Sequence, residues 1–246
     1  MRVNQFYSQN GEDAALSRIF TSDRGVCVEV GANDGVTLSN SYYFDQLGWR
    51  SILVEPNPTL CREIRLRRGE RTVLFECAAS SSNGTGRLNM GSGSDNMYST
   101  LEPSAGDPQT NHSFMEITVP TRTIDSILEE AGLGPIDFVS IDVEGHEMVV
   151  LSGIDLGRWK PRIVLLEDNK DLLDDAVQDH MRKAGYLRFY RTGSNDWYAR
   201  RVERRFALLL QILASGRFNW RGFLKISLPR WIIRPALQVH RIAIVR

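Results

Sequence analysis

The segment VCVEVGANDGVTLSN, residues 26–40, constrains the fold of this chain more than any other stretch. Val26, Cys27, Val28 and Val30 are β-formers without clean alternation, so the run predicts a strand covered on both faces, as in a parallel sheet. Gly31 and Gly35 follow at once, with Asn33 and Asp34 between them. Glycine is favoured where a strand turns sharply into a helix and where backbone must come close to a ligand. The segment reads as strand, ligand loop and helix start.

Further strand candidates lie at 51–54, 72–76, 137–141 and 162–166, with helical segments expected at 38–48, 58–68 and 123–132, the last with a Thr start and a Gly stop. Such alternation predicts an α/β fold with a doubly wound, mostly parallel sheet. After residue 166 come an amphipathic helix over 172–184 and closing strands in YLRFYR and DWYAR. The Gly/Ser/Asn-rich stretch 91–113 breaks the pattern and is too long for an ordinary connection, so it reads as a lid, a binding loop or a disordered segment. The N-terminus, MRVNQFYSQNGED, turns polar at once, so no signal peptide is expected, and no apolar run reaches the length of a membrane span. Cys27, Cys61 and Cys77 are isolated in sequence, which favours reduced core thiols and a cytoplasmic protein.

In a doubly wound sheet, ligands bind beyond the carboxyl ends of the strands at the switch point. Glu29 stands near the end of the first strand and Glu55 closes the second, in ILVEPN. Glu55 follows Gly31 at about the spacing, roughly 20 residues, at which an acid grips ribose hydroxyls. A carboxylate suits a vicinal diol and repels a ribose phosphate. The loop lacks the G-x-G-x-x-G of a dinucleotide site and carries acids where a pyrophosphate would pass. S-adenosylmethionine, with a sulfonium, an ammonium and a ribose diol, is the better chemical fit. The plainer alternative is that the glycines serve only a tight turn.

Six ordered motifs carry a family likeness: YSQNGED (7–13), VEVGANDG (28–35), VEPNP (54–58), ECAAS (76–80), TIDSIL (123–128) and IDFVSIDVEGHE (136–147). With them the chain resembles the FkbM family of S-adenosylmethionine-dependent methyltransferases over about residues 5–200. The resemblance implies a Rossmann-like fold of the class I methyltransferase type in residues 1–200; the basic helical extension expected over 201–246 lies outside it. It implies that Glu29, Gly31, Asn33 and Gly35 line the methionine end of the cofactor, that Glu55 holds the ribose and that Ala78 lies near the adenine. Asp142 would face sulfonium and substrate, and Ser8, Gln9 and Asp13 would close over the cofactor. GEDAALSRIF is equally a plain helix start, with acids at the positive helix end.

SIDVEGHE, residues 140–147, is the densest polar cluster. Methyl transfer to an alcohol needs a positioned oxygen and removal of its proton, by a tuned base or with help from a metal. Glu144 and His146 are both candidates for the base, and Glu147 reads as a structural first-turn acid. The next strand ends in Glu167, Asp168 and Asn169, so Asp142, Glu167 and Asp168 form a candidate oxygen-only Mg²⁺ site. An acidic pair there is similar to that of metal-dependent sugar O-methyltransferases. Alternatively Asp168 or Asn169 caps the following helix. The acceptor expected from these likenesses is a small molecule or glycan.

Residues 199–246 hold eleven Lys/Arg and one acid, a charge of +10, which leaves −10 on the rest of a chain that is neutral overall. With Trp220, Phe223 and Trp231 among the arginines, the tail reads as a peripheral contact for anionic membrane or as an added packing layer. Nucleic acid is not expected, since an acidic body repels phosphate. The rival functions are a nucleotide-linked oxidoreductase on a similar sheet and a non-catalytic membrane-docked module.

Overall fold

The computed structural model describes residues 5–91, 99–100, 114–168 and 175–200. Most of the expected 91–113 loop, Asn169 and the basic segment 201–246 lie outside the described residues. The chain opens with α1 (Glu12–Ile19), β1 (Val26–Val30), α2 (Tyr42–Gln46), β2 (Arg50–Val54), α3 (Pro58–Arg67) and β3 (Thr72–Phe75). A second group follows: β4 (Ala78–Ala79), β5 (Gly84–Gly91), β6 (Ser99–Thr100) and β7 (Phe114–Arg122). Then come α4 (Ile124–Ala131), β8 (Phe138–Ile141), α5 (Glu147–Leu151), α6 (Leu156–Trp159), β9 (Ile163–Glu167), α7 (Asp175–Lys183), β10 (Tyr186–Thr192) and β11 (Asn195–Arg200).

Local chemistry sets the long helices where the sequence places them. Asn57 caps α3 by accepting from the Thr59 N–H at 2.9 Å, and Pro58 occupies the first helical turn, where its missing donor costs nothing. Thr123 caps α4, and Gly132 ends it in the left-handed conformation at φ 59°. The expected helix over 38–48 is much shorter, Tyr42–Gln46. The reason is local: Leu38 sits at φ 60°, and Ser39, Asn40 and Ser41 are bound through side chain or backbone to Glu29.

Seven strands form one sheet in the order β3-β2-β1-β8-β9-β11-β10. All pairings from β3 to β9 are parallel, and β11 runs antiparallel to both neighbours. The strand order reverses between β1 and β8, which creates the crevice of a doubly wound sheet. Alternate residues feed two cores. Val28, Val30, Ile52, Val54, Val139, Ile141 and Val164 pack with Ile124 and Ile127 of α4, Val150 of α5 and Met181 of α7. Cys27, Phe138 and Leu165 pack on the other face with Leu16 of α1, Phe44 of α2 and Trp49. Cys27, Cys61 and Cys77 are buried free thiols, pushed up to about 12, 12 and 11 by burial, which keeps them protonated and inert. Among the described residues no helix is long and apolar enough to cross a membrane.

A second, four-stranded sheet, β4-β7-β5-β6, has no counterpart in the sequence reading. Residues 84–91 spell GTGRLNMG, whose glycines and asparagine read as turn; the ladder to β7, running from Gly84↔Thr121 to Gly91↔Phe114, supplies what local propensity lacks.

The ends of β1 and β8 converge at Gly31. Its φ is 81°, and a Cβ there would stand 1.8 Å from the Asp142 carbonyl oxygen. Gly31→Ala combines a left-handed penalty with a backbone clash and should cost about 3–5 kcal/mol. Gly132→Ala is the control: its left-handed φ is similar, but no atom lies within 4 Å of the added Cβ. Thermal unfolding should show a fall on the order of 10 °C for the first and only a few degrees for the second.

Candidate active site

A cavity of about 320 Å³ opens at the carboxyl ends of β1, β2 and β8, where the strand order reverses. Its walls include Gln9, Glu29, Gly31, Asn33, Glu55, Ala78, Asp142, Glu144, His146 and Glu167. Of the expected cofactor residues, Ser8 and Gly35 are outside this wall. The Ser8 hydroxyl donates to Asp13 Oδ1 at 2.6 Å, and Asp13 also accepts from the Tyr7 N–H at 2.5 Å. Asp13 is fully buried, so it pins the entry segment rather than meeting a ligand. Its neighbour Glu12 is equally buried and takes hydrogen bonds from Thr192 and Asn195, tying α1 to the β10–β11 hairpin.

Glu29 projects from β1 beneath the 39–41 loop, which carries its partners. One oxygen accepts from the Asn40 N–H at 2.7 Å; the other accepts from the hydroxyls of Ser39 at 2.7 Å and Ser41 at 2.5 Å. Arg68, at the end of α3, faces the same oxygen at 3.4 Å, with both side chains almost wholly buried (1% and 7% exposed). Arg68 Nη2 also donates to Ser39 and Ser41, Nε donates to the Gly35 carbonyl at 2.5 Å, and the guanidinium lies over the Tyr42 ring. Nη1 makes no hydrogen bond and faces Asp45 at 3.9 Å. Glu29 is thus chiefly a structural acceptor, and Gly35 serves the site through its carbonyl. Sequence reasoning missed Arg68, because one arginine in REIRLRRGE carries no mark of burial.

Glu55 is buried just after β2, and among the described residues no cation acts on it. Its two oxygens accept from the Asn33 and Asn57 N–H groups at 3.0 and 2.9 Å, which fixes the loop after β1. Burial raises its carboxyl to about 7, and the two backbone donors only partly offset this. Each oxygen retains a lone pair for a further donor.

Beyond β8 the carboxylates crowd together. Oxygens of Asp142, Glu144 and Glu167 lie within 4.8 Å of one another. Burial first, and then Glu167, push Asp142 far above the ordinary carboxylate range, to about 9. Glu167 Oε2 is buried and makes no hydrogen bond among the described residues. Glu144 is raised to about 7 by burial and by Glu167 and Glu147, and its backbone is left-handed at φ 54°. Glu147 accepts from the N–H groups of Gly145 and Val143, so it holds the turn. His146 occupies the cap position of α5 and lines the cavity. The expected trio of Asp142, Glu167 and Asp168 is corrected here. The Asp168 carboxylate turns to Arg191 at 3.3 Å, because the β10–β11 hairpin packs on that strand end, and Glu144 stands in the acidic cluster in its place.

A family model described as the methyltransferase FkbM domain matches residues 29–188. The chain belongs to this methyltransferase family. The match agrees with the methyltransferase likeness carried by the sequence motifs. Among curated relatives, 2-O-methyltransferase NoeI of Sinorhizobium fredii is 32% identical over 154 residues, 58% of this chain and 62% of NoeI. The chain therefore spans less than two thirds of that relative's length. Similar solved structures include a precorrin-6y C5,15-methyltransferase of Geobacter metallireducens (TM-score 0.41, 16% identity, 80% of this chain and 88% of that one). Another is a TehB-like S-adenosylmethionine-dependent methyltransferase of Corynebacterium glutamicum (TM-score 0.44, 8% identity, 80% and 90%).

The Glu29–Arg68 pair sets the shape of the cavity wall, so breaking it has a defined cost. Arg68→Met strands a buried carboxylate and should destabilise the protein by about 3–5 kcal/mol. Adding Glu29→Gln should recover part of that loss, because the charge goes with its partner. Chemical denaturation of the two single variants and the double variant measures the coupling.

Proposed function

We propose that the chain moves a methyl group from S-adenosylmethionine to a hydroxyl of a neutral sugar, with Glu144 taking the hydroxyl proton. The observation that carries this reading is Glu144 itself, a cavity-lining carboxyl tuned to about 7 on a strained backbone, packed against Asp142 and Glu167. The printed name of NoeI, a 2-O-methyltransferase, supports transfer to oxygen. The likeness to sugar O-methyltransferases supports a glycan or small-molecule acceptor. Among the described wall residues there is no lysine or arginine, which suits a cationic donor and an uncharged acceptor. A contact of 201–246 with anionic membrane belongs to the same proposal and is supported by the charge split of the chain.

Bound in the cavity, the donor supplies a methyl group on a sulfonium, which passes to the acceptor oxygen as the carbon–sulfur bond breaks. The chain's own residues do the rest. Glu55 accepts the ribose hydroxyls through its remaining lone pairs. Asn33 and Gly31 present backbone at the methionine end. Asp142 would lie beside the sulfonium, and Glu144, once ionised, would receive the acceptor's proton.

A second reading has a specific observation behind it. Asp142, Glu144 and Glu167 offer only oxygen donors, within 4.8 Å of one another, which is the ligand type Mg²⁺ takes, and Glu167 Oε2 is buried without a hydrogen bond among the described residues. An ion there would lower the acidity barrier of a coordinated hydroxyl, and with Glu144 engaged as a ligand His146 becomes the base.

Glu55 gives a pH signature for the donor. Its carboxyl in the empty protein titrates near 7, and only the ionised form accepts both ribose hydroxyls. Affinity for S-adenosylhomocysteine should therefore be lost as pH falls through 7 and be complete by pH 8. In calorimetry, Glu55→Ala should bind about tenfold more weakly at pH 8, from the loss of a charge-assisted acceptor, with a flatter pH profile.

Glu144→Gln keeps the shape of the base and removes its function, so kcat should drop about 10²–10³-fold while S-adenosylhomocysteine affinity stays within about threefold. Wild-type kcat/KM for the donor should rise with pH through about 7, as Glu144 and Glu55 of the free protein ionise. Activity should survive exhaustive chelation. Loss on chelation that Mg²⁺ restores, with His146→Gln then as damaging as Glu144→Gln, would establish the second reading instead.

A further inference from the structure

Leu38 is the anomaly of the cavity rim. It lines the cavity yet is 41% exposed, and its φ of 60° is left-handed, a conformation that disfavours any residue with a Cβ. Neither property stabilises the fold: the strain costs energy, and an exposed leucine recovers only part of its burial. The strain is held from outside. Ser8 forms a bridge with Leu38, and Ser8 is itself locked to Asp13 by the 2.6 Å hydrogen bond. On the other side, Ser39, Asn40 and Ser41 are clamped to Glu29. Gln9 and Thr37 line the cavity as well; the Thr37 hydroxyl donates to Asp34 at 2.7 Å and retains its capacity to accept. Phe6, in the segment that pairs with this loop, is a second exposed apolar side chain at 46%, stacked on Tyr43.

We propose that Leu38 is the apolar floor of the acceptor subsite, contacting the C–H face of a neutral pyranose while Thr37 and Gln9 hydrogen-bond its hydroxyls. This rests on the methyl-transfer reading and names where the sugar sits within it. A pyranose has an apolar face and a polar edge, and the rim offers the same pairing: one large aliphatic side chain between an amide and a hydroxyl. Clamps on either side hold Leu38 in a costly conformation on the cavity wall, with its side chain left part-exposed. An outlier maintained in this way at a cavity is the mark of a residue kept for binding.

The test compares Leu38→Ala, Leu38→Gly and Leu38→Met. Ala removes the side chain and keeps the left-handed strain; Gly removes both. The expected results are that the Gly variant melts at or above the Ala variant, reversing the usual order of these residues, and that all three bind S-adenosylhomocysteine as wild type does. Transfer of labelled methyl to a panel of methyl pyranosides at saturating donor should show kcat/KM lowered about tenfold or more by Ala and Gly, chiefly through KM, and largely restored by Met. A tenfold loss of S-adenosylhomocysteine affinity in the Gly variant would place Leu38 on the donor wall and overturn the proposal. So would a panel in which no pyranoside is methylated by wild type, or in which the Gly variant matches wild type. Failure of wild type to bind S-adenosylhomocysteine at all would instead overturn the methyl-transfer reading beneath it.

Discussion

The buried pair of Glu29 and Arg68 is the interaction on which the rest of this site depends. Neither charge has appreciable contact with water, so each is tolerable only because the other is present and because neutral donors fill the remaining positions. Those donors are Ser39, Asn40 and Ser41, and recruiting them dictates the path of the chain after β1. One consequence is the shortness of α2. Another is the fixed height of the Gly35 carbonyl, which receives the Arg68 Nε–H. A strand, a loop and a helix end are thereby locked around one desolvated charge, and one side of the cavity takes its form from that lock.

The acids of this protein fall into two groups that differ in compensation. Glu12, Asp13 and Glu29 are buried with several donors each and act as structural acceptors. Glu55, Asp142 and Glu144 are buried or half-buried, and all three are raised, with burial as the first cause. Leaving a carboxyl under-compensated costs stability in the empty protein. These three line the cavity, where a ligand can supply a further partner.

Much of the sheet was legible in the sequence, and the physical reason is that its strands are covered on both faces. Runs such as VCVEV and IVLLE can hardly be anything else, and the capped helices α3 and α4 announce their ends with Asn57-Pro58, Thr123 and Gly132. Glu55 and Asp142 were legible because each closes a strand, where topology alone brings it to the crevice. What stayed hidden depends on contacts distant in sequence. Arg68 meets Glu29 across 39 residues, and the β5–β7 ladder forms between segments whose own composition signals turn. Asp168 looked like a metal ligand because adjacency in sequence suggested adjacency in space; its pairing with Arg191 of the hairpin was invisible. Glu144 became part of the cluster only through a left-handed turn that no propensity foretells.

The proposed chemistry also carries an order of events within the electrostatics of the cavity. In the empty protein Asp142 holds a proton and Glu144 is only part-ionised at neutral pH, since each charge on this patch opposes the next. A weak, half-protonated carboxyl is a poor general base. A sulfonium and an ammonium arriving beside these acids reverse the balance, because a nearby positive charge favours the ionised form of every carboxyl within reach. In the proposed reaction, donor binding would therefore expel protons and leave Glu144 able to accept one. The proposed acceptor, a neutral sugar, carries no charge with which to do this by itself. A base that is made competent by the donor's own charge confines proton abstraction to the complex in which a methyl group is ready to be transferred, and the absence of Lys and Arg from the described cavity wall is what preserves that dependence.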